Sequence, residues 1–162
     1  MRNVREDNAL AGGGQARDEV ATLRGIYEAF NARDIETLVS RLEPDIEIEE
    51  TEDIGYAALL LRVLGPRFVV LSGRYRGLEE VRRLFETVWE ISEWFVVEPQ
   101  EFRRVGSYVV VPLAMRAKAR ATGIEGNATT VHLWTMRFGN GAHLRVFATM
   151  AEALAAAGRP LA

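Results

Sequence analysis

The chain has 162 residues, 48% of them hydrophobic and 27% charged, and its formal net charge is −3. This size and composition fit one globular domain with a substantial core. The sequence contains no cysteine, which excludes disulfides, thiolate nucleophiles and cysteine-ligated metal sites. No apolar run reaches the roughly 20 residues that a membrane-spanning helix needs, and the polar start lacks a signal region. We therefore expect a cytoplasmic protein.

The distribution of charge argues against nucleic acid as a partner. Acidic residues dominate the segment 34–53, and basic residues dominate the segment 103–162. Segments of opposite sign suggest that they neutralise each other. A nucleic-acid-binding domain more often carries net positive charge, with stacking aromatic residues among the basic ones. We expect neither nucleic acid nor a membrane as a partner.

The N-terminal segment predicts a tail followed by a helix. Residues 1–17 combine charged residues and glycines with few large apolar side chains, so we expect them to be flexible. From Asp18, a suitable N-cap, apolar residues recur at helical spacing and predict the first helix. The folded domain is thus expected over residues 18–158, with a short tail at 159–162.

The next segment predicts a second helix and a half-buried strand. Asp34 is a capping residue, and the apolar stripe that follows it predicts a helix that ends at Pro44. Apolar and acidic residues then alternate from 45 to 50, which is typical of a strand with one buried face. Beyond it, 57–64 favours a short helix and 68–71 a strand.

The second half of the chain predicts a helix and then a series of strands. Leu78 to Trp89 has a wide apolar face opposite a charged one, which predicts a third helix. The hydrophobic period then changes to two, which predicts four strands: Trp94 to Arg103, Tyr108 to Ala121, Glu125 to Phe138 and His143 to Thr149. Turns such as Asn140-Gly141 separate them and indicate an antiparallel meander. A last helix is expected over Met150 to Ala157. Helices followed by a meander predict an α+β fold, with a curved antiparallel sheet wrapped around the N-terminal helices.

Four short motifs occur in a recognisable order: Tyr27-Glu28-Ala29-Phe30-Asn31-Ala32-Arg33-Asp34, Pro44-Asp45, Tyr75-Arg76-Gly77 and His132-Leu133-Trp134-Thr135. With this order and spacing the chain resembles the SnoaL-like branch of the nuclear transport factor 2-like superfamily, over roughly residues 18–158. The resemblance implies a cone-shaped α+β barrel, commonly dimeric, with a pocket between the concave sheet and the helices. The superfamily includes ketosteroid isomerases, polyketide cyclases, dehydratases and pocket proteins without known activity, so the fold does not select a function.

The resemblance carries a catalytic role to one position only. Ketosteroid isomerases move a proton with a carboxylate near the end of the first strand, and the matching residue is Glu50. Their two oxyanion donors, a first-helix tyrosine and a protonated aspartate, match Ile26 and Trp134, so both donors are lost. The aspartate on which SnoaL-like cyclases rely matches Thr149, so that acid is lost too.

Glu50 is the first candidate for acid or base chemistry. The alternation that buries Ile46 and Ile48 also directs Glu50 inward, where loss of solvent would raise the pKa of its carboxyl. The alternative is a carboxylate at a strand end that reaches solvent, because charged residues are seldom fully buried.

His132 is the second candidate. It shares a strand face with Trp134, and pairing with the last strand is expected to place Phe147 and Thr149 beside them. A histidine at such a site could shuttle protons or bind an anionic group. The alternative is a core histidine that only holds a backbone carbonyl. Neither histidine has a carboxylate at helical spacing, so we predict no metal site and expect no cofactor.

The expected pocket wall combines residues of helices and strands: Tyr27, Phe30, Ile48, Phe85, Trp89, Met115, Trp134, Phe147 and Thr149. At helical spacing, the aromatic residues among them fit an ordinary core equally well. The sequence favours a homodimeric pocket protein that binds a small apolar or aromatic ligand. A cofactor-free isomerase, cyclase or dehydratase with Glu50 as its base stays open, as does a non-catalytic dimeric interaction module.

Overall fold

The computed structural model of the chain describes residues 4–50 and 73–158, and in these ranges four helices and seven strands are found. The helices are α1 (Val4–Ala32), α2 (Ile35–Ser40), α3 (Leu78–Ile91) and α4 (Met150–Gly158). The strands are β1 (Leu42–Glu50), β2 (Arg74–Arg76), β3 (Ser92–Pro99), β4 (Arg103–Val105), β5 (Tyr108–Ala119), β6 (Glu125–Arg137) and β7 (Asn140–Phe147). The helix predicted over 57–64 and the strand predicted over 68–71 lie outside the described residues.

The two N-terminal helices differ from the prediction in their bounds. Helix α1 begins at Val4, earlier than the predicted start at Asp18. The segment before Asp18 contains alanine, arginine and glutamate, which have high helix propensity, together with three glycines, whose helix propensity is low. Its predicted flexibility stays a prediction. Asp34 is the N-cap of α2 as predicted, since its side chain accepts a hydrogen bond from the Thr37 backbone N–H at 3.2 Å.

Helix α2 ends at Ser40, so the prediction that Pro44 ends it is wrong. Pro44 instead lies exposed within strand β1. The pairing of β1 with β7 shifts register between Leu42 and Glu47, so Pro44 occupies an irregular stretch of the ladder. A proline has no backbone N–H to give to a ladder, and such irregular positions are where strands tolerate it.

The strands form one open sheet in the order β2-β1-β7-β6-β5-β3, with β4 beside β5. Neighbouring strands pair antiparallel except β1 and β7, which are parallel. The expectation of an antiparallel sheet is therefore corrected at this one pair, where the chain returns to β1 only after the whole meander. The α+β class is as predicted.

One strand and one turn also differ from the prediction. The segment Trp94 to Arg103 does not form one strand. Strand β3 begins directly after α3 and ends at Pro99, and a separate strand, β4, begins at Arg103. The turn between β6 and β7 uses Phe138 and Gly139, at φ 53° and 78°, so Asn140-Gly141 already belongs to β7. Glycine adopts positive φ without a steric cost, which explains why Gly139 serves as the turn residue.

The two faces of the sheet carry different helices. Helices α1, α2 and α3 cover the inner face and share the main hydrophobic core with it. A smaller cluster lies on the outer face, where Ala153 of α4 packs with Tyr108, Val110, Val131 and Phe147. None of the helices in the described ranges has the length and apolar character needed to cross a membrane.

Polar side chains join the end of α1 to the third strand and helix. The Asn31 amide donates to the Val97 carbonyl and accepts from the Val97 N–H, both at 2.9 Å. Since β3 is the last strand of the sheet, this amide pairs backbone groups that an edge would leave open. Arg33 donates to the carbonyls of Trp89 at the end of α3 and of Ser92 and Glu93 at the start of β3. These bonds fix α1 against the inner face.

Candidate functional site

A pocket of about 120 Å³ lies between the inner face of the sheet and the helices α1, α2 and α3. Most of its wall is aliphatic or aromatic, and the polar groups come from Glu50, His132, Tyr27 and Trp134. An apolar cavity of about 150 Å³ accommodates a benzene ring. The pocket therefore has room for one small ring or a few water molecules.

The structure brings eight of the eleven predicted site residues to this pocket: Tyr27, Phe30, Ile48, Glu50, Phe85, Met115, His132 and Trp134. Further wall residues come from the same helices and strands: Ile26, Leu38, Leu42, Leu84, Val88, Phe95, Val97, Leu144 and Val146. Ile26, which matches the position of a lost oxyanion donor, lies there with its aliphatic side chain.

Phe147 does not line the pocket, so its predicted place beside His132 is wrong. Strand register pairs Phe147 with Val131, whose side chain points to the face opposite that of His132. Phe147 therefore packs on the outer face, against the cluster that includes Ala153 of α4. A difference of one residue in register decides the face of every side chain in a strand.

Thr149 and Trp89 are also absent from the pocket wall. Thr149 follows the end of β7, and its hydroxyl accepts a hydrogen bond from the Glu152 backbone N–H at 3.2 Å, as an N-cap of α4 does. Trp89 is buried in the core beside Phe30 and Phe85, with ring centroids 5.6 Å and 6.2 Å away. Helical spacing placed Trp89 on the buried face of α3, where it packs against two rings that line the pocket but does not line it itself.

Glu50 and His132 lie in one row across three neighbouring strands. Glu50 of β1 pairs with Val146 of β7, and Val146 pairs with His132 of β6. Two strand spacings put the Cα atoms of Glu50 and His132 on the order of 10 Å apart. Their side chains share the inner face, as the alternation predicts, and both reach the pocket.

Burial in the apolar wall raises the pKa of the Glu50 carboxyl to about 7. The pKa of Tyr75 is raised to about 12, first by burial and then by the negative charge of Glu50. The Tyr75 hydroxyl is buried and has no hydrogen-bond partner among the described residues. Near neutral pH, Glu50 is thus poised between its protonated and ionised forms.

A chain of hydrogen bonds connects the other polar groups of the pocket. The Trp134 indole N–H donates to the Tyr27 hydroxyl oxygen at 2.8 Å. The same oxygen is 2.9 Å from Nδ1 of His132. Burial lowers the pKa of His132 to about 3 and raises the pKa of Tyr27, so both side chains are neutral at physiological pH.

Sequence reasoning placed Tyr27 in the pocket but missed this hydrogen-bonded chain. Tyr27 and His132 are 105 positions apart, and no spacing rule connects a helix residue with a strand residue at that distance. One general signal was available. Buried tyrosine hydroxyls and tryptophan indoles usually find a hydrogen-bond partner, so Tyr27 and Trp134 each needed one.

The charged side chains of Glu47 and Glu49 on β1 point to the outer face. Glu49 is 2.8 Å from His143 and also pairs with Arg74. Burial alone would raise the pKa of Glu49, but His143 and Arg74 outweigh it and lower that pKa. Among the described residues, no three His, Cys, Asp or Glu side chains lie close enough together to hold a metal ion.

The open α+β sheet with helices on its inner face is the fold of solved nuclear transport factor 2-like proteins. An NTF2-like protein of unknown function from Burkholderia pseudomallei is 23% identical, with a TM-score of 0.66 over 88% of this chain and 98% of that chain. TerC, crystallised with polyporic acid, is 23% identical, with a TM-score of 0.64 over 83% of this chain and 94% of that chain. A protein with a ketosteroid isomerase-like fold from Catenulispora acidiphila, in complex with trimethylamine, is 12% identical, with a TM-score of 0.60 over 86% and 93%.

The family follows from the sequence itself. The profile of the SnoaL-like domain matches residues 23–146, and the chain belongs to this family. The predicted resemblance is thereby confirmed. No curated protein matches the chain. The similar structures establish the fold, and the function must be argued from the residues of the pocket.

Proposed function

We propose that this chain binds one small, mostly apolar molecule in the pocket between the sheet and the helices. The observation that carries this proposal is a mostly apolar pocket of about 120 Å³ between the sheet and the helices. Protein interiors leave few voids larger than a water molecule, and an unfilled void costs stability. The wall suits a single ring or a short branched chain, and Glu50 and His132 can contact one polar group on it.

A matched pair of substitutions on β3 tests this proposal. The Val97 side chain reaches the pocket, whereas that of Val96 points to the outer face. We expect Val97→Phe to abolish binding of small ring compounds by filling the pocket, and Val96→Phe to leave binding unchanged. Binding is measured by titration calorimetry and by chemical-shift changes of pocket methyl groups. Equal binding of ring compounds by both variants would contradict the proposal. The absence of any binding by the wild type would contradict it as well.

Proton transfer is the second candidate function, and the raised pKa of Glu50 favours it. A general base works best when its pKa lies near the operating pH, and the pKa of Glu50 is raised to about 7. In this reaction Glu50 removes a proton from carbon next to a carbonyl group, and returns a proton to the same or a neighbouring carbon. A donor in the pocket would stabilise the negative charge that develops on the carbonyl oxygen.

Hydrogen exchange of a small ketone tests the second candidate. In D₂O, a base in the pocket replaces the α-hydrogens of cyclohexanone by deuterium, which NMR follows directly. We expect Glu50→Gln to reduce this protein-dependent exchange by at least about 100-fold, the typical contribution of a positioned base. Glu49→Gln, next to it but on the outer face, serves as the control. Exchange that is equal in both variants excludes Glu50 as the base.

The assembly stays a proposal as well. We expect a homodimer that forms through the part of the outer sheet that α4 leaves uncovered. Sedimentation analysis of the full chain at micromolar concentration tests this expectation, and a monomer at all concentrations would contradict it.

The pocket disfavours the third function, a non-catalytic interaction module, for which a filled interior is expected.

A further inference from the structure

The hydrogen-bonded chain in the pocket has a fixed direction. The indole N–H of Trp134 can only donate, so the Tyr27 oxygen must accept the bond of 2.8 Å. The hydroxyl of Tyr27 has a single hydrogen of its own. The Nδ1 atom of His132, at 2.9 Å, is the other polar atom within hydrogen-bond distance of this hydroxyl among the described residues.

The direction of this chain determines which nitrogen of His132 carries the proton. A neutral imidazole has one N–H and one nitrogen with a free lone pair. If Tyr27 donates to Nδ1, the proton of the ring is on Nε2. The reverse arrangement, with Nδ1–H donating to Tyr27, would leave the buried tyrosine hydrogen without an acceptor among the described residues, and an unpaired buried donor is unfavourable.

We propose that Trp134 and Tyr27 form a one-way hydrogen-bond relay that holds His132 in its neutral Nε2–H form, so that the pocket selects ligands with a neutral hydrogen-bond acceptor. This inference rests on the proposed function and names the ligand class: a small ring or branched chain that carries a carbonyl or ether oxygen. Trp134 and Tyr27 are positioning residues, because their polar atoms are occupied by each other and by His132.

The charge balance of the pocket supports this ligand class. With Nδ1 engaged by Tyr27, Nε2–H is the polar atom that His132 can offer to a ligand. A neutral N–H suits a carbonyl oxygen, whereas an anionic ligand would share an apolar pocket with the Glu50 carboxyl. Burying two like charges together is unfavourable. Carboxylate ligands are therefore disfavoured.

The protonation of His132 can be measured in the full chain without any ligand. The chain has only two histidines, and His143→Gln removes the other one, which lies on the outer face. Long-range ¹H–¹⁵N NMR at pH 7 then reports His132 alone. We expect the pattern of a neutral ring with its proton on Nε2. A proton on Nδ1, or a doubly protonated ring, would overturn the relay.

Substitutions within the relay test its direction. In Tyr27→Phe, and separately in Trp134→Phe, we expect both neutral forms of His132 to become populated. Tyr75→Phe, the same change at a buried tyrosine outside the relay, should leave the pattern unchanged. If Tyr27→Phe does not fold, Trp134→Phe decides the question. An unchanged Nε2–H pattern in the folded relay variants would show that the relay does not hold the ring.

Two probes of equal shape test the ligand class. Cyclohexanone and methylenecyclohexane differ only in a carbonyl oxygen against a methylene group. We expect the wild type to bind cyclohexanone about fivefold more tightly, which is the value of one net hydrogen bond. We expect this preference to shrink in Tyr27→Phe. Equal binding of both probes, or tighter binding of cyclohexanecarboxylate, would overturn the proposed selection.

The two levels of the proposal fail in different ways. If none of the probes binds to the wild type, the proposed function is wrong for ligands of this size, and the ligand class is wrong with it. The NMR pattern of His132 is measured in the free protein, so it confirms or overturns the relay in either case.

Discussion

Replacing Glu50 by glutamine removes the carboxyl that faces the pocket, and its effect on stability depends on pH in a direction that the structure fixes. The pKa of Glu50 is raised by burial from 4.5 to about 7. Below pH 4.5 the folded and the unfolded wild type both keep this proton, so the group has no effect on stability. Between pH 4.5 and 7 only the folded state keeps the proton, and the free energy of unfolding falls as the pH rises.

Above pH 7 the whole penalty is present in the wild type. Each pKa unit corresponds to 1.36 kcal/mol, so the ionised Glu50 side chain costs the folded state about 3 kcal/mol. Glutamine has nearly the same shape and does not ionise. We therefore expect Glu50→Gln to be more stable than the wild type by about 3 kcal/mol at pH 8, relative to the difference at pH 4.5. A constant offset from the new amide cancels in this comparison.

Urea unfolding of both proteins at pH 4.5, 6 and 8, followed by circular dichroism, measures this difference. Glu49→Gln is the control, because His143 and Arg74 lower the pKa of Glu49 and its contribution must have the opposite sign. The stabilisation from Glu49 is present above pH 4.5 and is lost as the pH falls through its folded pKa. Stability curves of wild type and Glu50→Gln that stay parallel from pH 4.5 to 8 would refute the reasoning.

Two further predictions concern the framework of the pocket. A Cβ atom at Gly141 would be 2.7 Å from the ring of Trp134, so we expect Gly141→Ala to lower the free energy of unfolding by about 2 kcal/mol, whereas Gly158→Ala, with open space around it, should be nearly neutral. Urea unfolding measures both, and an unchanged midpoint for Gly141→Ala would contradict the close packing. Arg33→Ala removes the donor to three carbonyls at the end of α3 and the start of β3, and we expect a loss of about 1–3 kcal/mol. Arg83→Ala, in an exposed pair within α3, should change stability by less than about 0.5 kcal/mol, and equal thermal shifts for the two arginine variants would argue against the prediction.

The sequence predicts the residues of the pocket where side-chain alternation alone decides their direction. Ile48 and Glu50 share a face because they are two residues apart in one strand, and the same rule joins His132 to Trp134. The period of a strand is a local property of the backbone. Predictions from this period hold for a strand regardless of which strand pairs with it.

The errors occur where the position of a residue depends on a partner that is distant in sequence. The face of Phe147 follows from its register against Val131, and a one-residue shift in the pairing between Thr135 and Met136 sets that register. Pro44 does not end a helix. It lies in strand β1, where the ladder has an irregular stretch that accepts a proline. Both outcomes depend on strand pairing, which periodicity does not encode.

The charge of the pocket depends on one group, Glu50, because the side chains of the relay stay neutral. Between pH 5 and 9, His132 stays neutral because its pKa is lowered to about 3, and Tyr27 stays neutral because burial raises its pKa. Glu50 alone, among the described residues of the wall, changes its charge in that range. In the proposed function, a neutral ligand with an acceptor oxygen would meet two donors when Glu50 is protonated, and one donor and one base when it is ionised. The proposed binding and the proposed proton abstraction would thus draw on opposite protonation states of the same carboxyl.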